Sequence, residues 1–141
     1  VFGNTTNPHL TDIESFVTIN GKYEFNQEKE IFENTDITII PSIWWETFGL
    51  VVLESLANGV PIITTSLVGA NDLIKQNFNG IIVKPDANIL ANKIKSIVKD
   101  REILEKMNLN ICSNEFNYSL MKHSEIILNL YKKVCKGICE E

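Results

Sequence analysis

The chain is poor in several things, and each shortage excludes something. Among 141 residues there is a single arginine, Arg101, and the formal net charge is -5. No segment forms a basic stripe, so no nucleic-acid partner is expected: such binding needs clustered cations against the phosphates. Cysteines number three, Cys112, Cys135 and Cys139. An odd count without paired spacing does not build a disulfide framework. Cys135 and Cys139 could share a helix face, but no His or further Cys stands near to complete a ligand set, so no metal site is expected. Reduced thiols fit a cytoplasmic protein. No apolar run reaches the roughly 18 residues of a membrane-spanning helix. The opening Val1-Phe2-Gly3-Asn4 has neither the charged lead nor the apolar core of a signal peptide. It also has no initiator Met and opens on what reads as a strand tip, so the chain is expected to be part of something longer. Repeats and low-complexity segments are absent.

What is present suits one folded domain. Hydrophobic residues make up 44% and charged residues 22%, enough apolar surface for a real core and an ordinary charge density. The charge is uneven. Residues 1–70 carry two lysines against nine acids, and residues 71–141 carry eleven bases against nine acids. A basic outer face on the later helices accounts for that asymmetry.

Periodicity and punctuation give an element order. Residues 4–9 are loop chemistry, and Leu10 to Ser15 reads as a short helix. Phe16-Val17-Thr18-Ile19-Asn20-Gly21 reads as a strand stopping at Gly. Asn26 is a candidate N-cap for a helix through Glu33, with Ile31 and Phe32 as its apolar contacts. Asp36 to Pro41 is a nearly continuous apolar run, as in a strand covered on both sides, and Pro41 ends it. Gly49 to Asn58 predicts a helix with Gly59 beyond its end. Pro61 to Thr65 predicts the next strand, and the three pieces make a βαβ unit. A turn and short helix follow over Val68 to Asn77. Gly80 to Val83 predicts another strand, and Asp86 to Val98 a helix resting on Ile89, Leu90, Ile94, Ile97 and Val98. Arg101 to Ile111 and Tyr118 to Val134 predict two more, the last amphipathic. The expected fold is α/β: a Rossmann-like open parallel sheet with helices on both faces and a helical C-terminal tail.

The stretch Pro41 to Glu54 is the candidate site. Open parallel sheets take ligands outside the carboxyl ends of their strands. The amides of Phe48, Gly49 and Leu50 precede a helix and lack intrahelical partners, which suits a phosphate. Glu54, at helical spacing from Leu50, Val51, Ala57 and Asn58, is a carboxylate among mostly apolar neighbours. Ligand hydroxyls could satisfy it, and so could donors of its own chain; the residues alone leave both open. Glu46, in the loop before the helix, could be a solvated acid or a site residue.

Together these residues carry a resemblance. Pro41-Ser42, Glu46, Phe48-Gly49, Glu54, Ala57-x-Gly59-x-Pro61 and Gly69 are similar to the C-terminal half of retaining glycosyltransferases of the GT-B fold, the glycosyltransferase family 4 type, also called glycosyl transferases group 1. The paired acids of that family have the spacing of Glu46 and Glu54. The resemblance extends from about Val17 to Val134. It implies a donor-binding lobe over residues 1–141, truncated at its N-terminus and without the acceptor-binding lobe. It implies transfer of a hexose from a nucleotide-diphosphate sugar to a carbohydrate or lipid-linked acceptor, in polysaccharide or glycolipid synthesis, without metal or other cofactor. Glu46 would face the donor sugar as the catalytic residue. Thr47, Phe48, Gly49 and Leu50 would hold the diphosphate, Glu54 the ribose, and Gly21, Lys22 and Tyr23 would lie against the base. The full-length protein would be cytoplasmic, with peripheral attachment to a membrane left open.

Three departures stand out. Val68-Gly69-Ala70-Asn71-Asp72 has a shorter acid where the family often has Glu. Trp44-Trp45 doubles a usual single Trp; the pair could wall the sugar or the acceptor site, or one of them could pack in the core. The Arg and Lys that clamp the diphosphate lie upstream in the family, and neither Arg101 nor Lys22 matches them, so this chain alone is not expected to turn over. Two other readings fit the residues less well. A regulatory module that kept the fold but lost catalysis is disfavoured by intact Glu46 and Glu54. A flavodoxin-like signalling domain is disfavoured because Asp36 precedes its strand instead of following it. His9 and His123 are expected at the surface.

Overall fold

The computed structural model describes residues 16–114 and 120–138. The strand tip at Val1–Gly3, the loop over 4–9, the helix over Leu10–Ser15, His9 and Cys139 lie outside them. So do the first two residues of the helix expected from Tyr118.

The order of elements is α1 (Glu28–Glu33), β1 (Thr38–Ile40), α2 (Leu50–Ala57), β2 (Ile62–Thr65), β3 (Gly80–Val83), α3 (Ala87–Lys99), α4 (Glu102–Cys112) and α5 (Leu120–Ile138). The three strands form one parallel sheet in the order β1-β2-β3. Thr38 stands opposite Ile62 and Ile62 opposite Gly80. Parallel neighbours require crossovers, and α2 supplies the first one.

Alternation along the strands sends the two faces to different helices. Ile62 packs with Val52 and Leu56 of α2, with Ile40 and Ile82 at the margin. Ile63 and Ile81 point the other way, to Ile97 of α3 and Met107 of α4. Both faces are therefore covered by helices, as the α/β reading requires. All four residues of β2 are buried, including Thr64 and Thr65. A polar side chain there needs a partner. Thr64 donates to Asn71 Oδ1 at 2.6 Å, and Thr65 donates to the Ser42 carbonyl at 2.6 Å.

Several local expectations are corrected. Residues 17–20 adopt no strand, and Phe16 is 91% exposed. β-Branched and aromatic residues form strand only where a sheet face receives them, and here no helix or sheet covers Phe16. β1 is an edge among the described strands, with Ile39 37% exposed, while Ile37 and Ile40 pack into the core clusters on its two opposite faces. The residue at the N-cap of α1 is Gln27, without a side-chain cap bond, because a 3-10 turn over Phe25–Gln27 delays the α-helix past Asn26. The short helix after β2 is a 3-10 turn over Gly69–Leu73. In α3, Leu90, Ile94 and Ile97 face the core while Ile89 and Val98 are exposed. Asp86 caps that helix by accepting from Ile89 N at 2.9 Å. α5 forms, yet Leu130, Tyr131 and Val134 on its apolar stripe are exposed. His123 is exposed, as expected, and Cys112 and Cys135 are free thiols.

Candidate functional site

β1 ends at Ile40 and its carboxyl end runs into Pro41 and the loop before α2. That loop is built onto a second one, Ser66 to Ala70, which leaves the end of β2. Glu46 N–H donates to the Leu67 carbonyl at 2.9 Å, Gly69 N–H to the Glu46 carbonyl at 3.0 Å, and Ala70 N–H to the Phe48 carbonyl at 2.7 Å. The two loops thus continue the parallel pairing past the sheet, with Glu46 opposite Val68.

Gly69 makes this contact sterically feasible. A Cβ at that position would overlap the Thr47 carbonyl and come within 2.9 Å of the Glu46 carbonyl oxygen. Gly49 has a different reason to be glycine. It stands at the N-cap of α2 with φ +91°, and a Cβ there would meet Val68 Cγ1 at 3.0 Å. No side chain caps α2. Among the described residues, the amides of Phe48, Gly49 and Leu50 donate to no backbone carbonyl. Three N–H groups at the positive end of a helix, close to a strand end, are therefore left without a backbone acceptor.

Glu46 is half-buried, and its Oε2 accepts from Ser42 O–H at 2.7 Å. Ser42 is itself buried, and its carbonyl accepts the Thr65 hydroxyl. A chain of hydrogen bonds thus runs from Thr65 through Ser42 to Glu46 and fixes the carboxylate relative to the sheet. Ser42 entered the sequence reading only as part of a pattern, and Thr65 only as a strand residue. The legible signal was a hydroxyl at a strand end, where a buried Ser or Thr must find a partner.

Glu54 lies one turn into α2, half-buried, and Tyr23 O–H donates to its Oε2 at 2.7 Å. The open question about this acid is partly answered: its own chain supplies one donor, from the Gly21-Lys22-Tyr23 loop. Burial, the hydrogen bond to Glu54 and the charges of Glu54 and Glu28 push the Tyr23 phenol from 10.0 up to about 12. Asn58, at the end of α2, donates to Glu28 Oε1 at 3.1 Å and so ties α1 to the same helix.

The structure thus brings Ser42, Glu46 and Gly49 together at the N-terminus of α2, and separately Tyr23 and Glu54 on the second turn of the same helix. Lys22 is exposed, and Gly21 has open space around its Cα. Asp72 is exposed, while Asn71 beside it reaches back to the Thr65 carbonyl at 2.8 Å. Arg101 pairs with Asp36 at 2.9 Å, at the amino end of β1 and away from this site. Trp44 and Trp45 are both exposed, which rules out core packing of either one. Among the described residues no cluster of His, Cys, Asp and Glu could hold a metal ion, and no helix is long and apolar enough to cross a membrane.

Glycosyl transferases group 1 matches residues 12–111, and the chain belongs to that family. It is 30% identical over 106 residues to an uncharacterised glycosyltransferase of Methanocaldococcus jannaschii, a match covering 74% of this chain and 27% of the relative. It is 29% identical over 110 residues to the Escherichia coli UDP-Gal:alpha-D-GlcNAc-diphosphoundecaprenol alpha-1,3-galactosyltransferase, covering 75% of this chain and 27% of that protein. The chain thus spans about a quarter of the length of these relatives. In structure it is similar to an Anabaena protein crystallised with UDP, with TM-score 0.74 and 20% identity over 89% of this chain and 34% of that one. The fold is that of the C-terminal lobe of a GT-B glycosyltransferase.

Proposed function

We propose that this chain is the donor-binding lobe of a retaining glycosyltransferase that transfers a hexose from a nucleotide-diphosphate sugar. One observation carries the reading: Glu46 and three backbone amides without a carbonyl acceptor stand at one helix N-terminus at the carboxyl end of a parallel sheet, and a second carboxylate, Glu54, is held on the second turn of that helix. The amides of Phe48, Gly49 and Leu50, with Thr47 beside them, hold the diphosphate. Their N–H groups stabilise negative charge that grows on the leaving phosphate as the glycosidic bond breaks. Glu46, oriented by Ser42, faces the donor sugar and stabilises positive charge at the anomeric carbon. Glu54, held by Tyr23, takes the ribose hydroxyls. Gly21, Lys22 and Tyr23 border the base.

The reaction needs no metal in this reading, because helix amides and side chains neutralise the diphosphate. The leaving phosphate accepts the proton of the acceptor hydroxyl on the face it departs from, and configuration is retained. The acceptor is a carbohydrate or a lipid-linked carbohydrate, in polysaccharide or glycolipid synthesis. The cationic clamp and most of the acceptor site come from sequence outside these 141 residues, and the chain by itself binds donor without turnover. The full-length protein works in the cytoplasm.

Ligand-observed NMR of the full-length protein with UDP-, GDP- and ADP-sugars tests this, repeated on Glu54→Ala. One nucleotide class is expected to bind and to weaken in the variant. No binding, or binding indifferent to Glu54, would sink the assignment.

A further inference from the structure

Two peptide groups of the Glu46 loop are held from behind. Gly69 N–H donates to the Glu46 carbonyl at 3.0 Å, and Ala70 N–H donates to the Phe48 carbonyl at 2.7 Å. Among the described residues no peptide bond is cis, so in each of these planar groups the N–H points opposite to the carbonyl. The Thr47 and Gly49 N–H groups are therefore aimed away from residues 66–70. Neither donates to a backbone carbonyl among the described residues. Their direction is set by the loop that holds the two carbonyls.

Asn71 fixes that loop in turn. It lies in the 3-10 turn Gly69–Leu73, directly after the fully buried Ala70. Its Nδ2 donates to the Thr65 carbonyl at 2.8 Å, and its Oδ1 accepts from the Thr64 hydroxyl at 2.6 Å. The side-chain amide cannot be reversed, because a carbonyl faces its nitrogen and only an N–H serves there. Thr64 and Thr65 are buried on β2, the central strand of the described sheet. Two bonds fix an orientation where one would leave rotation, so the loop leaving β2 is closed back onto that strand. The same Thr65 donates to the Ser42 carbonyl at 2.6 Å. One strand end thus serves Glu46 through Ser42, and the amides through Asn71.

We propose that Asn71 is a positioning residue for the donor diphosphate: by clasping residues 66–70 to Thr64 and Thr65, it aims the Thr47 and Gly49 N–H groups at the phosphates. This rests on the donor-site reading above. Hydrogen bonds weaken steeply as their angle closes, so a loosened loop costs phosphate binding. Glu54 is held by Tyr23, from a different segment of the chain, and keeps its direction.

The test compares nucleoside diphosphates with their nucleosides on the full-length protein by ligand-observed NMR: UDP with uridine, GDP with guanosine, ADP with adenosine. The ratio of the two dissociation constants, the diphosphate advantage, reads the amides apart from base and ribose. Asn71→Leu keeps the size of the side chain and removes both bonds. The advantage is expected to fall about tenfold, with nucleoside affinity held within about twofold. That variant also strands the buried Thr64 hydroxyl, which lowers stability. Thr64→Val combined with Asn71→Leu removes both partners, so stability should recover while the loss of advantage remains. An advantage that recovers together with stability shows a merely structural residue and overturns the proposal. Where the single variant does not fold, the double variant decides alone. A wild-type protein without a diphosphate advantage overturns the donor reading; an advantage undiminished by either variant removes the positioning role alone.

Discussion

The Tyr23 hydroxyl donates to Glu54 Oε2 at 2.7 Å, across 31 residues of chain. The contact fastens the loop after residue 20 to the second turn of α2, and it gives a half-buried carboxylate a fixed direction. A hydrogen bond to a charged group contributes more than one between neutral partners, so its loss is measurable. Tyr23→Phe keeps the ring and removes only the hydroxyl. The expected result is nucleotide affinity about ten- to a hundredfold weaker, matching roughly 1.5–3 kcal/mol for a hydrogen bond to a charged group, by isothermal titration. Unchanged affinity would mean that Glu54 needs no positioning by Tyr23.

The same contact makes stability depend on pH at the alkaline end. Tyr23 is pushed from 10.0 up to about 12, so the fold favours the protonated phenol. A group whose pKa rises on folding contributes fully below its unfolded value and loses that contribution as pH climbs through the folded one. Between about pH 10 and 12 the wild-type chain should therefore lose more stability than Tyr23→Phe. Urea melts of the two proteins across that window provide the check, since titration of the lysines is common to both and cancels in the difference.

Glu46 and Ser42 should separate in kinetics. On the proposed mechanism Glu46→Gln in the full-length protein removes the charge assigned to the anomeric carbon, and transfer is expected to fall about a hundredfold or more. Donor affinity should stay within a few-fold. Ser42→Ala leaves the carboxylate but frees its direction, so kcat should fall by a smaller factor, about tenfold, with KM for the donor little changed. Equal losses in the two variants would show that Ser42 does something other than orient Glu46.

The close packing of the two loops predicts a cost at Gly69. A Cβ there overlaps the Thr47 carbonyl, which is backbone and cannot swing aside. Gly69→Ala should destabilise by about 3 kcal/mol and displace the Glu46 loop. Gly49→Ala should cost about 1–2 kcal/mol for a left-handed alanine, with Val68 adding to it. Thermal melts measure both, and a neutral Gly69→Ala would contradict the packing.

Leu56 and Trp45 provide the opposite pair. Leu56 is fully buried between α2 and the sheet, and Leu56→Ala should cost about 2–5 kcal/mol. Trp45 is larger but sits in water, so Trp45→Ala should change stability by no more than about 0.5 kcal/mol. Denaturant midpoints decide between them.

Most of the fold could be read from apolar periodicity and punctuation. Pro41, Gly59 and Pro61 bracketed β1, α2 and β2 to within a residue or two, because glycine and proline act on the backbone locally. Phe16 to Gly21 misled for the same reason in reverse: strand propensity is local, but a strand needs a face to rest on.

The turn around Glu46 shows where sequence stops. Composition and spacing alone determined an α/β chain with two acids, eight positions apart, flanking a helix start at a strand end. They could not say that Tyr23 meets Glu54, that Ser42 and Thr65 aim Glu46, or that both tryptophans stand in water. Those relations depend on where distant backbone segments come to rest, at separations of 23 and 31 residues for the Thr65–Ser42 and Tyr23–Glu54 pairs. Local preference carries no information at that range, and packing of the sheet against α2 supplies it.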